Sequence, residues 1–304
     1  MMSTILEIDT EDLVRGARFV KPALDRARGD HPALHLNHAD LRLRDGKLQL
    51  TATNGRVLLT WELEHKLVDL NQDKFHALLS AEDLRKLATL PLKHNSQTIV
   101  TTGEQAAVPL LKVGDDFTAK LNATDAPWYP DWDNLLPESG YPAFKMATTV
   151  GELSDRLQPL KILTRYMQPE PTFGTAAEIK AHASEMDRDP SHFLEVHITG
   201  HQVEARSHYG TDDFIKLGAT TEINNGSRIH EQDPLPPILT GFDWNYLHKP
   251  LQNLARKTPL TMIFRSALWP VYYGFDNGKA QALVSPIRMG MGPKQLPNDE
   301  EGED

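Results

Sequence analysis

The sequence predicts an α+β protein in which one β-α-β-β-β half-module is stated four times and paired into two pseudo-symmetric domains. Three observations predict it. Stretches with apolar residues at every second position, joined by turn pairs such as Asp45-Gly46 and Asn54-Gly55, read as hairpin strands. Four short segments carry apolar stripes at helical spacing, with Lys or Arg off the stripe. Each of them follows one strand and precedes three more, so the element order repeats although residue identities do not.

In the first half-module, Thr4 to Ile8 alternates like an edge strand, and Asp9 or Thr10 is placed to cap a helix with Glu11 and Asp12 in its first turn. That helix has an apolar side (Leu13, Val14, Ala17, Val20) and a basic one (Arg15, Arg18, Lys21, Arg26, Arg28), and Pro22 should bend or split it. Three strands follow from Ala33 to Leu63. In the second half-module, Phe75 to Leu79 is a strand and Ser80 caps a helix with Asp83 three residues on. Leu84, Leu87 and Leu90 line one side of this helix, with Arg85 and Lys86 elsewhere. Strands are expected at 98–101, 106–113 and 117–121.

The Pro- and Trp-rich stretch from Asp125 to Pro142 is the expected domain connector, dividing the chain into 1–137 and 138–289. The third half-module has a strand at 143–149 and a helix at 151–164, with Arg156, Lys161 and Arg165 along or just past it. Its strands fall at 193–199, 202–206 and 214–222. The fourth opens with a strand at 238–241. A helix is then expected over Asp243 to Lys257, with Trp244, Leu247, Leu251 and Leu254 on its stripe and His248, Lys249, Arg256 and Lys257 off it. Three final strands end near Met289.

At 304 residues and 39% hydrophobic content the chain can build two cores. Cysteine is absent, which excludes disulfides, thiolate zinc sites and cysteine nucleophiles. No run is apolar and long enough to span a bilayer and the first residues are acidic, so a cytoplasmic protein is expected. The net charge of −10 argues against a grip on nucleic acid by bulk charge. Part of that charge lies in Asp299 to Asp304, within a tail (290–304) read as disordered and solvated.

Specific residues carry a family likeness. Thr51 to Leu58 (TATNGRVL), Val113 to Phe117 continuing through Lys120-Leu121 to Tyr129-Pro130-Asp131-Trp132, and the C-terminal YLHKPLQNL, PVYYGF and LVSPIRM stretches resemble passages of the bacterial DNA polymerase III β sliding clamp. The likeness is to the second and third of that family's three domains. It implies a DNA-clamp fold, with helices lining a hole that encircles duplex DNA without reading sequence and sheets outside. It implies no enzymatic activity and no cofactor. Two domains per chain would make a six-domain ring a homotrimer, its subunits joined by edge strands. A nucleoid-associated protein is then expected.

The resemblance also implies a cleft for short peptides from the polymerase and the clamp loader. Leu36, Thr53, Gly55, Arg56, Val57 and Leu58 would contribute from the first domain. Pro130, Asn134 and Leu135 would come from the connector, and Pro270, Leu283, Val284, Ser285, Pro286, Ile287, Arg288 and Met289 from the last strands. Strand alternation requires some of these to be core. The DNA-facing set would be Arg15, Arg18, Lys21, Arg26, Arg28, Arg85, Lys86, Arg156, Lys161, Arg165, Lys249, Arg256 and Lys257. Ala81 and Glu82 stand where the family places basic residues, and Asn134 replaces a basic rim residue.

Other chemistry is poorly supported. His35 and His38 fall at i,i+3 of a strand, on opposite faces, and His197 with His201 lacks a third ligand. Asp115-Asp116 and Asp212-Asp213 read as solvated turn carboxylates. No phosphate loop, nucleophile elbow or HExxH is present. The competing functional reading is a clamp-fold adaptor or decoy that binds clamp-interacting peptides without forming a ring. An unrelated two-domain enzyme would need a catalytic cluster that the sequence does not show.

Overall fold

The computed structural model describes residues 2–24, 37–68, 75–92, 97–103, 109–115, 117–123, 142–166, 193–207, 214–223 and 235–287. The first half-module is β1 (Met2–Asp9), α1 (Thr10–Val20), β2 (His38–Arg44), β3 (Lys47–Thr53) and β4 (Val57–Leu63), trailed by the short β5 (His65–Leu67). The second is β6 (Phe75–Ser80), α2 (Ala81–Thr89), β7 (Gln97–Gly103), β8 (Leu110–Val113) and β9 (Phe117–Lys120), trailed by β10 (Asn122–Ala123). The third is β11 (Ala143–Thr149), α3 (Val150–Tyr166), β12 (Phe193–Ile198), β13 (Gln202–Ser207) and β14 (Ile215–Ile223). The fourth is β15 (Ile238–Asp243), α4 (Trp244–His248), β16 (Pro259–Phe264), β17 (Val271–Phe275) and β18 (Ala280–Val284). The expected connector falls outside the described residues except for Pro142.

Local chemistry explains the element ends. Asp9 caps α1 by accepting from the Asp12 amide at 2.7 Å, and Ser80 caps α2 by accepting from the Asp83 amide at 3.1 Å. Each such cap contributes about 1 kcal/mol. Pro22 stops α1 at Val20, and the chain tightens into a 3-10 turn over Lys21–Leu24. In the β3–β4 turn Gly55 adopts φ 79°, open to glycine at no steric cost, while the Asn54 side chain accepts from the Arg56 and Val57 amides at 2.9 and 2.8 Å.

The half-modules interlock by exchanging first strands. Strand β1 lies with β7–β8–β9, and β6 lies with β2–β3–β4; likewise β11 lies with β16–β17–β18, and β15 with β12–β13–β14. A second rule also holds four times. The chain just past, or at the end of, each last strand turns to pair with its own half-module's first strand. So β5 pairs β1, β10 pairs β6, residues 220–223 of β14 pair β11, and Ile287 bridges Gly241 of β15. Identical pairing logic in four places is what a true structural repeat produces. Strands β4 and β18 then pair edge to edge, joining the two halves into one 13-stranded sheet.

The helices form a continuous row, α2–α1–α4–α3. Between α1 and α2 the bonds are reciprocal. Arg18 donates to the carbonyls of Ala88 and Leu90 (3.0 and 2.8 Å) at the end of α2, and Arg85 donates to Leu24 O (2.7 Å) after α1. Each guanidinium thus meets the carbonyl end of the opposite helix, where the dipole favours a cation. Lys249 Nζ to Pro22 O (2.7 Å) and Asn253 Nδ2 to Arg18 O (2.9 Å) link α1 to the fourth half-module. Trp244 Nε1 to Leu157 O (2.7 Å) links α4 to α3. Beneath them Phe19 packs edge-on against Phe275 at 5.9 Å and tilted against Trp61 at 5.6 Å, so the core runs across the joint.

Three expectations need correction. Strand β1 is not an edge, because it is flanked by both β5 and β7. The fourth helix is much shorter than Asp243 to Lys257. It closes at His248, continues as a 3-10 turn over Lys249–Leu251 around Pro250, and then breaks with Asn253 at φ 63°. The apolar stripe survives nonetheless, with Trp244, Leu247 and Leu251 buried and Leu254 partly so. Finally, β18 ends at Val284, since Ser285-Pro286 interrupts it before the bridge at Ile287.

His248 stacks on Trp244, with centroids 4.7 Å apart and planes at 13°. Burial first, and the neighbouring Lys161 second, hold its imidazole below the usual histidine value. Below about pH 6.5 the unfolded chain therefore binds more protons than the fold. This contribution to stability is complete above that pH and declines as pH falls through the depressed folded value. The melting temperature of His248→Asn is expected to fall less than that of the parent between about pH 7.5 and 5.5. Equal falls would contradict this.

Candidate functional site

The β4–β18 joint creates two unlike faces. In register, Val57 faces Val284, Leu58 faces Leu283 and Leu59 faces Ala282. Val57, Leu59, Ala282 and Val284 enter the main core at 0–1% exposure. Leu58 and Leu283 point the other way and form a separate apolar cluster with Tyr272 against it. Cross-strand pairing continues that row from Thr53 through Leu58, Leu283 and Tyr272 to Ile263. Next to it in β4 and β18 the same face carries buried Thr60 and half-buried Gln281, then Glu62, so the leucine pair, itself 8% and 4% exposed, is an apolar island between polar residues. Such an island at a joint, between side chains on two halves, suits one or two large apolar anchors.

The surrounding residues fix its shape. Thr53 Oγ1 donates to Val57 O (2.9 Å) and accepts from Gly55 N (3.1 Å), holding the turn against the strand. Arg56 O accepts from Ser285 N at 2.8 Å, which extends the joint past β18. Pro270, Ser285 and Pro286 are half-buried, and Ile287 is buried at its bridge to Gly241. Burial raises the Tyr272 phenol above its usual value, keeping it neutral. Thus the structure brings Thr53, Leu58 and Leu283 into one row and puts Val57 and Val284 in the core. Leu36, Pro130, Asn134, Leu135, Arg288 and Met289 lie outside the described residues. Tyr272 escaped sequence reasoning, though its parity with Leu283 across the β17–β18 hairpin was the available signal.

The same joint is locked from the helix side. Buried Asp12 accepts from Trp61 Nε1 (3.1 Å), Glu64 N (2.7 Å) and Lys279 Nζ (2.9 Å), and Lys279 also reaches Glu64 at 2.7 Å. Burial pulls the Lys279 ammonium down, but its bonds to Glu64 and Asp12 outweigh that and hold it above the usual lysine value. The sequence placed Asp12 in the first turn of α1 but gave no sign of this network, and Lys279 did not stand out at all.

The basic residues of the helices fall into two groups. Arg18, Arg85 and Lys249 donate to main-chain carbonyls as described, and Arg156 donates to Leu217 O, the residue bulged out of the β13–β14 ladder. Lys161 lies over the Trp244 ring at 4.6 Å. These cations hold the fold together. The exposed ones are Arg15, which pairs with Glu11, Lys86, 2.7 Å from Glu82, Arg256, 2.7 Å from Asp155, and Lys257. Lys21 is half-buried; Arg26 and Arg28 are outside the described residues, as is the Arg165 side chain. Among the described residues no three His, Asp or Glu are grouped to hold a metal, and no helix is long and apolar enough to cross a membrane.

Solved structures with this architecture were found by comparison. The DNA polymerase III beta subunit sliding clamp of Pseudomonas aeruginosa, bound to griselimycin, superposes with a TM-score of 0.66 at 15% identity, over 95% of this chain and 66% of that one. The beta subunit of Thermotoga maritima gives 0.61 at 17% identity, over 94% and 66%, and the sliding clamp of Bacillus subtilis 0.63 at 13%, over 94% and 64%. This chain has the sliding-clamp fold. It spans about two thirds of the length of those clamps, 64–66% in these three. No protein-family model matches the sequence, and no curated protein matches it at the sequence level.

Proposed function

We propose that this clamp-fold protein is a DNA sliding clamp, a processivity factor that encircles duplex DNA and tethers a polymerase and a clamp loader through the cleft at the β4–β18 joint. One observation carries the reading. Of the four equivalent last strands, β4 and β18 are already joined to each other, whereas among the described residues β9 and residues 215–219 of β14 each keep an unpaired edge. An exposed strand edge is a template for pairing with another chain. Two equivalent open edges, one in each half, suit a head-to-tail contact in which β9 of one copy meets β14 of the next. A contact of that kind yields a ring when the rotation closes. For a chain of four half-modules, the six-domain ring of the bacterial clamps takes three copies. Topological retention needs only weak, sequence-blind contacts, which a net acidic protein can supply from one helix face. Such a protein would act at the nucleoid.

The cleft half of the proposal has its own test. A fluorescent peptide carrying a bacterial polymerase's clamp-binding motif is expected to bind at the Leu58–Leu283–Tyr272 row. Tyr272→Ala should weaken that binding about tenfold or more, the usual effect of losing a central aromatic anchor, with the cooperative melting transition retained. Undiminished binding by Tyr272→Ala and by Leu58→Ala would remove the cleft from this account. The peptide-binding adaptor reading shares the cleft but not the ring, so the assembly state separates the two.

A further inference from the structure

Three exposed cations of the helix row are paired with carboxylates. Arg15 is held by Glu11 and Lys86 by Glu82, each one turn back on the same helix, while Asp155 on α3 receives two bonds, 2.8 and 2.7 Å, from the Arg256 guanidinium after α4. All three cations are more than half exposed, at 55%, 59% and 67% of the side chain. Of the other helix cations, Arg18, Arg85, Arg156 and Lys249 donate to carbonyls and Lys161 lies over a ring, while Lys257 is exposed and Lys21 half-buried. A phosphate approaching this face therefore meets ion pairs, and must displace a carboxylate to gain a full contact with any of the three. The pairing is felt by its members: hydrogen bonding and charge from Glu82 raise Lys86, and those from Asp155 raise Arg256.

We propose that Glu11, Glu82 and Asp155 act as built-in competitors for duplex DNA, setting how weakly the helix face holds the phosphate backbone. The inference rests on the encirclement reading above and adds its regulation. Counterion release gives each additional phosphate contact about 0.9 in the slope of log affinity against log salt. A face whose cations are pre-neutralised by carboxylates releases fewer ions and so binds with a shallow slope. That is a physical means of letting a ring move along DNA: contacts are exchanged between an internal and an external anion, with little change in energy as they pass from one phosphate to the next. The device costs little stability, because exposed ion pairs of this type contribute about 0–1 kcal/mol.

The test uses the full-length protein and a short linear duplex of random sequence, so that topology plays no part. Binding is measured by anisotropy between about 50 and 200 mM salt for the parent, for the triple variant Glu11→Gln, Glu82→Gln, Asp155→Asn, and for Arg15→Glu, Lys86→Glu, Arg256→Glu. The double variant Glu82→Gln, Asp155→Asn guards against any loss of helix stability from Glu11. Tighter binding by the carboxylate variants, with the slope steeper by up to about 2–3 units, is the expected result. Unchanged affinity and slope in those variants, while charge reversal of the cations weakens binding, would overturn the competitor role and leave the DNA reading intact. If neither set of changes alters binding and the parent shows none at the lowest salt, the DNA reading falls and the inference with it.

Discussion

Replacing Asp12 with alanine is expected to cost about 3–5 kcal/mol of folding stability, the usual penalty for removing one partner from a buried charged network. The carboxylate serves three donors at once: the Trp61 indole, the Glu64 amide and the Lys279 ammonium. Alanine would leave the indole and the amide beside the β4–β18 joint without their acceptor. Lys279 suffers less, since Glu64 stays within 2.7 Å. The effect should appear as a melting temperature lower by roughly 10 °C. Asp12→Asn keeps one acceptor oxygen and should fall between the two. A melting temperature for Asp12→Ala within experimental error of the parent would show that the joint does not depend on this residue.

Placing proline at Thr118 is expected to abolish assembly while leaving the subunit folded. The Leu121 amide donates to Pro109 O at 2.9 Å, so in β9 the amides of Phe117 and Ala119 face β8 by the same alternation, and those of Thr118 and Lys120 face the open edge. Proline at Thr118 thus removes a donor from the free side without breaking the β8 ladder, and its φ is compatible with an edge strand. The variant should melt within a few degrees of the parent yet run as a monomer at concentrations where the parent assembles. Proline at Ala119 would break the ladder itself and serves as the contrasting, destabilised control. Unchanged assembly of Thr118→Pro would mean that β9 is not the contact strand.

Much of this fold was legible because the signals were local. Asp9 and Ser80 announced their helices, Asn54-Gly55 its hairpin, and alternation located nearly all the long strands. What failed was decided at a distance or by a single breaker. Nothing in Thr4 to Ile8 says that a three-residue strand sixty positions later will cover its second edge. Pro250 sits within a leucine stripe that reads as helical, and the stripe was right about burial although the helix was not continuous. For the site, parity separated Leu58 from Val57 once register was known, and register comes from the pairing of β4 with β18, more than two hundred residues apart. The helix cations show the limit most clearly. Arg18, Arg85 and Lys249 looked like a basic face, and their carbonyl partners became visible only when the helices were placed side by side.

The central claim is that the open edges of β9 and β14 close three chains into a ring. The mass of the protein in solution, measured by light scattering over a concentration series, tests it most directly. The account predicts a species of three chains, each of 34.1 kDa, and its loss in Thr118→Pro. A monomer at every concentration, or a stable dimer, would contradict the ring and leave the peptide-binding adaptor as the better reading of this clamp fold.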